Sequence, residues 1–288
     1  MTGLSILWQA VLGAALGAII GLVGRRWQVM THSGWIATVV IAATIFALGG
    51  WVWGSVLIVH WAANGLWAGY RAREKMRISD RFRKGAAQRW PHVLARTGWA
   101  LLLVSLHRFG SSHTTLFVAY VGSLATASAD TWATEIGVFS PTPPRRVTTW
   151  RPAQVGSAGS ISALGIIASL AGAWTIGFAG LLTPVIRDWA ANLAWDRDLL
   201  WLPLAAALGG TAGSLLDSFL GATGQAIYYC DSCGTETEHR VHDCGQPTRQ
   251  IRGWPWLTND AVNLVASVVG AAATAASLVW LAHSKSIW

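Results

Sequence analysis

Two carboxylates, Asp130 and Glu135, lie in the last third of an apolar stretch, residues 113–137, that is long enough to cross a lipid bilayer. A charged side chain in the middle of a span costs about 3 kcal/mol, and such residues usually serve a function. On a helix the two acids are about 140° apart, because each residue turns the helix by about 100°. They need not touch, but both can border one polar cavity. The stretch predicts an intramembrane active site that holds a metal ion or a phosphate, with a plain helix–helix contact as the alternative.

The composition is that of a polytopic membrane protein. The 288 residues are 53% hydrophobic and only 12% charged, whereas soluble domains are about 25% charged. The apolar runs are continuous, which excludes the alternating pattern of a membrane β-barrel. The sequence therefore predicts an all-α fold, a single polytopic transmembrane helical bundle without room for a second large domain.

Eight apolar runs predict about eight membrane spans. Sixteen of the 21 Lys and Arg residues fall in alternate loops between these runs. Under the positive-inside rule the basic loops are cytoplasmic and the N-terminus is outside. The basic loops are residues 25–33, 71–92, 139–157 and 230–259. The apolar runs are residues 4–23, 34–48, 51–69, 93–106, 113–137, 161–182, 199–228 and 261–282.

This topology divides the chain into a bundle and one insert. Residues 1–229 and 260–288 form the bundle, and residues 230–259 form a cytoplasmic insert. The net charge of +8 follows from the basic cytoplasmic loops, and we do not interpret it as nucleic-acid binding. The most basic segment, residues 71–89, is interpreted as an anchor near anionic lipid.

Two further runs carry acids on a polar helical face. Asp217 belongs to a stripe of small and polar residues with steps of three and four in the run 199–228, and Asp260 begins a similar stripe in the last run. Small residues on such a stripe favour close helix packing, which does not account for the acids. In the predicted topology the acids all lie toward the cytoplasmic end of the bundle. Hard oxygen ligands in this position predict a Mg²⁺ site, with Asp130, Asp217 and Asp260 as its ligands.

A basic, glycine-containing loop precedes the sixth run. Arg145, Arg146 and Arg151 come first, and the Gly/Ser turn 156–160 leads into the span. Backbone N–H groups of such a turn at a helix N-terminus cradle anions. The loop is not a P-loop, because the Lys-Ser/Thr ending is absent. Beside the carboxylates it predicts a phosphorylated substrate that is met from the cytoplasm.

The cytoplasmic insert contains a cluster of soft metal ligands. A Cys-x2-Cys pair is followed by two histidines and a third cysteine, a spacing that suits a small closed zinc site. The simplest ligand set is Cys230, Cys233, His242 and Cys244, with His239 as the rival fourth ligand and three free thiols as the alternative. Four ligands leave no open position, so the predicted Zn²⁺ is structural and folds the insert over the inner mouth of the bundle.

Four segments together resemble the membrane family numbered ninety-two among domains of unknown function, which includes plant phytyl-phosphate kinase. They are ASADTWATEIG, TTWRPAQVGSAGS, GSLLDSFLGATGQ and WLTNDAVNLVAS, and the resemblance covers most of the chain from about residue 75. Two segments depart from the family pattern. His92 and Arg96 replace a Gln and an Asn, and the turn 156–160 replaces Gly-Thr-x-Gly-Gly.

The resemblance implies an integral membrane kinase that transfers a phosphoryl group from CTP or another nucleoside triphosphate to a prenyl monophosphate. The active side would face the cytoplasm, with Asp130, Glu135 and Asp217 as catalytic residues. A CTP-dependent lipid-phosphate cytidylyltransferase and a non-catalytic transporter or scaffold are the alternatives. The candidate substrate-binding and nucleotide-binding residues are Thr131, Thr134, Arg145, Arg146, Arg151, Gly156, Ser157, Gly159, Ser218, Gln225, Asn259 and Asn263.

Overall fold

The computed structural model describes residues 3–78, 87–110, 114–242 and 244–283. Most of these residues are helical, as predicted. The helices are α1 (Gly3–Arg26), α2 (His32–Gly69), α3 (Ala72–Ile78), α4 (Trp90–Phe109), α5 (Thr114–Gly137), α6 (Ala163–Ala190), α7 (Leu202–Thr223) and α8 (Asn259–His283), and a 3₁₀ helix (Arg197–Trp201) precedes α7. The short strands are β1 (Arg145–Arg146), β2 (Ser160–Ile161), β3 (Ile227–Cys230), β4 (Thr235–Thr237) and β5 (Arg249–Arg252).

Helix α2 consists of two antiparallel arms rather than one straight rod. Gly50, with φ of 72° and ψ of −174°, interrupts the helical conformation in a region that glycine alone adopts readily. A straight helix of 38 residues would place its ends about 57 Å apart. Instead Trp27, just before α2, packs against Gly69 at its end, and Phe46 packs against Gly54 across the bend. The chain therefore turns back at Gly50, which accounts for two of the apolar runs.

Five helical segments are long and apolar enough to cross a membrane: residues 4–26, 32–69, 163–190, 197–223 and 259–283. Helices α4 and α5 have 20 and 24 residues but are more polar. Their charged residues include Arg96 on α4 and both Asp130 and Glu135 on α5. Helices α4 and α5, which carry Arg96, Asp130 and Glu135, are thus the least apolar long helices of the described chain.

Helix α5 occupies the centre of the bundle and packs against α2, α4, α6, α7 and α8. The Tyr120 hydroxyl donates a 2.6 Å hydrogen bond to the carbonyl of Trp53 in α2. Small residues bring the neighbouring helices close: Gly210 of α7 contacts Ala125, and Gly270 of α8 contacts Thr126. The glycines of the two polar stripes therefore serve close packing, as in other membrane bundles.

The insert differs from an all-helical prediction because it contains a three-stranded sheet in the order β4-β3-β5. The apolar run 199–228 was expected to be one span, but α7 ends at Thr223 and Ile227–Cys230 forms the central strand β3. The N–H groups of Gly224 and Gln225 both donate to the carbonyl of Leu220 and end the helix. The apolar side chains of Ile227 and Tyr228 are buried in the insert instead.

Candidate functional site

A polar cleft lies where α5, α6 and α7 meet the loop that leads into α6. The space between its atoms is about 690 Å³, open solvent included. Its lining combines a carboxylate, several hydroxyls and the Gly/Ser turn with a few apolar side chains. The residues used below are Asp130, Thr134, Gly156, Ser157, Ser169, Thr211, Ser214 and Ser218, with Ile161, Ile166 and Leu215.

The structure brings together predicted residues from three distant segments in this cleft. Asp130 and Thr134 are one turn apart on α5, Gly156 and Ser157 come from the loop, and Ser218 comes from α7. Asp130 is only 14% exposed, so most of its carboxylate surface is within the protein. The result is an acid, a backbone turn and hydroxyl groups around one space.

Two buried hydroxyls of the cleft have no hydrogen-bond partner among the described residues. They are Ser169 Oγ on α6 and Thr211 Oγ1 on α7. A buried polar group without a partner costs about 1–3 kcal/mol, and such groups usually meet water or a ligand. Both hydroxyls are therefore available to bind water or a ligand.

Helix α4 presents two basic side chains to two of the predicted magnesium ligands. Arg96 Nη2 lies 3.9 Å from Asp130 Oδ2, and His92 Nε2 lies 3.6 Å from Asp260 Oδ2. His92 and Arg96 are four residues apart and share one helical face. The acids of α5 and α8 consequently border the same side of α4. The two positions that depart from the family pattern are the ones that face these acids.

Glu135 has a different environment from Asp130. Its Oε2 accepts a 2.6 Å hydrogen bond from Lys75 Nζ, and the Lys75 side chain is only 1% exposed. Lys75 also donates to the carbonyl of Trp67. The segment 71–89 was interpreted as a lipid anchor, and its residues 79–86 lie outside the described chain. Within its described part, Lys75 is buried in the protein and forms an ion pair there.

The remaining candidates on the helices lie around the cleft rather than in its lining. Thr131 Oγ1 donates to the carbonyl of Ala127, and the amide of buried Asn263 donates to the carbonyl of Asn259. Asp217 is half-buried on α7, one residue before Ser218. Among the described residues, the Cys/His set of the insert is the only group of three or more Asp, Glu, His and Cys side chains gathered tightly enough for one ion. Asp130, Asp217 and Asp260 do not form such a group.

The basic loop is held in place by a short strand pair and by a glycine contact. Strands β1 and β2 are antiparallel, with Arg146 opposite Ser160. Gly159, with φ of +75°, packs against the backbone of Ala222 at the end of α7, where a Cβ atom would overlap it. Gly221 of α7 also faces Gly159, and buried Gln225 lies next to Gly221. This contact fixes the turn 156–160 against the C-terminal end of α7.

The arginines of the loop do not line the cleft. Arg145 Nη1 donates to the carbonyl of Trp150 at 2.9 Å. Arg146 and Arg151 line a second cavity, which touches the cleft at Ser157 and has the insert as its other wall.

The predicted metal ligands of the insert come together. One ligand atom from each of Cys230, Cys233, His242 and Cys244 lies within 4.8 Å of all the others. The sulfurs of Cys230 and Cys244 are 3.7 Å apart, close to the edge of a tetrahedron with Zn–S bonds of about 2.3 Å. His239 is outside this group.

The thiols of this cluster differ in acidity. Hydrogen bonds from the Gln246 backbone and from His242 lower the pKa of Cys244 to about 6, whereas hydrogen bonding to Cys244 raises the pKa of Cys233 to about 11. The lowered pKa of Cys244 favours its thiolate, which is the form that binds metal.

Sequence reasoning missed several hydroxyls of the cleft. Thr211 and Ser214 precede the predicted Ser218 in steps of three and four along α7, so the polar stripe of that helix contained the signal for Thr211. Ser169 is a single polar residue in an apolar helix, and nothing in the sequence distinguishes it from a packing residue.

Comparison with known proteins gives a consistent result over the whole bundle. The profile of the family described as integral membrane protein DUF92 matches residues 15–271. Protein PGR of Arabidopsis thaliana is 27% identical over 95% of this chain and 98% of its own length. An uncharacterized membrane protein of Synechocystis is 24% identical over 87% of this chain and 94% of its own length. An uncharacterized membrane protein of Methanocaldococcus jannaschii is 33% identical over 46% of this chain and 49% of its own length. No solved structure matches.

Proposed function

The chain belongs to the integral membrane family DUF92, and on that premise we propose that it is a prenyl-phosphate kinase. The reaction transfers the terminal phosphoryl group of CTP or another nucleoside triphosphate to an isoprenyl monophosphate and forms the diphosphate. The observation that carries this proposal is the cleft, in which Asp130, the turn 156–160 and unpartnered buried hydroxyls surround one space.

Phosphoryl transfer requires positioning and compensation of negative charge more than covalent chemistry from the protein. A phosphomonoester is already largely ionised near neutral pH, so the acceptor needs no strong general base. The backbone of Gly156 borders the cleft and would orient phosphate oxygens there. Arg96, next to Asp130, supplies positive charge at the same end of the bundle.

The donor set of the cleft fits Mg²⁺. A carboxylate and several hydroxyl oxygens are hard ligands, and Mg²⁺ in nucleotide sites is held by one or two carboxylates together with phosphates and water. Asp130, which lines the cleft, would hold the ion, and the ion would offset the charge of the transferred phosphoryl group. Asp217 and Asp260 are not gathered tightly with Asp130 and would contact the water molecules that Mg²⁺ retains. Glu135 does not belong to this set in our proposal, because its charge is balanced by buried Lys75.

The prenyl chain has an apolar route from the cleft to the lipid. Ile166 of α6 and Leu215 of α7 form the apolar side of the cleft. Leu215 is 38% exposed on the outer surface of the bundle, where lipid chains would surround it. The phosphate of the substrate would thus enter the polar cleft while its hydrocarbon chain lies between α6 and α7.

The packing supports eight spans with a cytoplasmic active side. The two arms of α2 count as two spans, and α4 and α5 add two to the four other apolar helices. Successive spans then alternate in direction, and the basic loops fall on the side of the cleft. The insert is cytoplasmic in this topology, and its Cys/His cluster holds a structural Zn²⁺.

The reaction itself distinguishes this proposal from its alternatives. Purified protein in detergent or liposomes is incubated with CTP, Mg²⁺ and prenyl monophosphates of several chain lengths, and the products are identified by mass spectrometry. A kinase forms prenyl diphosphate and CDP. A CDP-lipid with pyrophosphate would instead identify a cytidylyltransferase, and the absence of any covalent product would contradict an enzyme of either type.

A further inference from the structure

The second cavity lies beside the cleft and between two parts of the chain that are distant in sequence. Arg146, Arg151 and Gln154 of the basic loop form one wall, Tyr229 and Glu236 of the insert form the other, and Ser157 borders both the cavity and the cleft. Its volume is about 440 Å³, within the range of small-molecule sites. A ligand that extends from the cleft past Ser157 would enter this cavity.

The insert presents an ordered row of side chains to the cavity. In the sheet, Tyr229 pairs directly with Glu236 on one side and with Arg249 on the other. Side chains of directly paired residues lie on the same face of a sheet, and the Arg249 guanidinium lies 5.2 Å from the centre of the Tyr229 ring. Strand β3 ends at Cys230, so the metal cluster also fixes the position of Tyr229.

Arg252 lies outside the lining of this cavity but near Arg146 and Glu236, which belong to its walls. Its Nη1 donates to the carbonyl of Ala222 at 2.8 Å, but its Nη2 is buried and has no partner among the described residues. Burial, together with the nearby charge of Arg146, lowers the pKa of Arg252, and Glu236 opposes that shift. Arg252 is therefore close to two residues of the cavity wall, and two guanidinium groups are held near each other, an arrangement that favours an anionic ligand.

We propose that the second cavity binds the nucleoside end of the nucleotide, with Glu236 accepting a hydrogen bond from an amino group of the base and with Arg146 and Arg252 meeting the phosphates. This inference rests on the proposed function and extends it, because it makes the insert part of the nucleotide site. The terminal phosphate would pass Ser157 into the cleft, toward Asp130.

The chemistry of Glu236 predicts which base is preferred. An ionised carboxylate only accepts hydrogen bonds, so it pairs with the amino group of cytosine and is repelled by the carbonyl oxygen that replaces this group in uracil. CTP and UTP differ at this group and at the neighbouring N3, which is an acceptor in cytosine and an N–H donor in uracil. A glutamine in place of Glu236 can donate a hydrogen bond and should lose the preference.

The test is calorimetric titration of the purified, zinc-loaded protein with CTP and with UTP in the presence of Mg²⁺. We expect wild-type protein to bind CTP about tenfold more tightly than UTP, which corresponds to about 1.4 kcal/mol. Glu236→Gln should remove this difference, and Arg252→Gln should weaken both nucleotides about tenfold. Glu238→Gln, two residues away in the insert and outside the cavity lining, should bind both nucleotides as wild type does.

Binding and turnover separate this inference from the proposed function. If no prenyl phosphate is a substrate but CTP binding still depends on Glu236 and Arg252, the cavity assignment holds and the kinase proposal fails. Equal affinities of wild type, Glu236→Gln and Arg252→Gln for CTP would overturn the cavity assignment. Failure of the wild-type protein to bind either nucleotide would overturn it as well.

Discussion

Lys75 of α3 and Glu135 of α5 form a 2.6 Å ion pair in which the lysine is almost fully buried. The pair joins α3, a short helix that follows α2, to the C-terminal end of α5, the central helix of the bundle. Because five residues separate Glu135 from Asp130, the pair also fixes the end of α5 that carries the candidate active site.

We predict that Lys75→Met destabilises the protein strongly. The substitution leaves the Glu135 carboxylate, 16% exposed, without its cation, and breaking a buried pair in this way costs about 3–5 kcal/mol. Arg71→Gln is the matched control, because its partner Glu74 is 43% exposed and such surface pairs contribute about 1 kcal/mol or less. Thermal unfolding in detergent measures both.

The double variant Lys75→Met/Glu135→Leu tests the role of Glu135. It removes both charges, so we expect it to recover part of the lost stability and to retain turnover. Loss of turnover in a folded double variant would show that Glu135 acts in catalysis. A Lys75→Met protein as stable as Arg71→Gln would contradict the structural role of the pair.

Gly159→Ala should abolish turnover in a protein that still inserts into the membrane. A Cβ atom at this position overlaps the backbone of Ala222, so the turn 156–160 must move away from α7 and from the cleft. Gly50→Ala is the control: Gly50 also has a positive φ, but a Cβ atom there meets nothing within 4 Å. We expect that variant to lose about 1–3 kcal/mol of stability and to retain wild-type turnover when folded; equal turnover of the two variants would contradict the positioning role of Gly159.

Metal analysis of protein purified without chelators should find about one zinc per chain. His242→Ala and Cys233→Ser should each lose it, because each removes one of four ligands. His239→Ala should keep it, since His239 lies outside the cluster. If His242→Ala keeps the zinc and His239→Ala loses it, the fourth ligand is His239 rather than His242. Protein without zinc would contradict the metal site.

Thiol labelling tests the topology, because the three cysteines all belong to the insert. A membrane-impermeant maleimide should leave intact cells unlabelled and should label inside-out vesicles once a chelator has removed the metal. Ala194→Cys lies in the exposed loop between α6 and α7 and should be labelled in intact cells. Labelling of the native cysteines in intact cells would place the insert, and the cleft with it, on the outer side.

Much of the fold could be predicted from the sequence because the bilayer imposes strong constraints. Each of the eight apolar runs corresponds to a helix or a helix arm. The two glycines that separate the second and third runs, Gly49 and Gly50, lie at the bend of α2. The Cys/His spacing predicted the ligand set that the insert brings together. The predicted end of the seventh span was wrong, because the apolar strand Ile227–Cys230 has the same hydropathy as the end of a span.

The partners of the charged residues could not be predicted. Glu135 finds Lys75 at a distance of 60 residues, and Asp130 finds Arg96 through the packing of α4 against α5. Such pairs depend on the rotation of each helix about its axis, which close contacts between small residues determine. The second cavity likewise depends on how the insert folds back onto the basic loop, and no local pattern in the sequence encodes that approach.

The central claim is that the cleft around Asp130 performs phosphoryl transfer. Its most direct test is the rate at which the terminal phosphate of labelled CTP appears in prenyl diphosphate, with Mg²⁺ present, for wild type, Asp130→Asn and Asp217→Asn. Asp198→Asn is the control, because Asp198 lies in the 3₁₀ helix that precedes α7 and outside the cleft lining. We predict transfer by wild type and Asp198→Asn and a loss of at least about 100-fold in both other variants; wild-type rates in folded Asp130→Asn and Asp217→Asn would contradict the account.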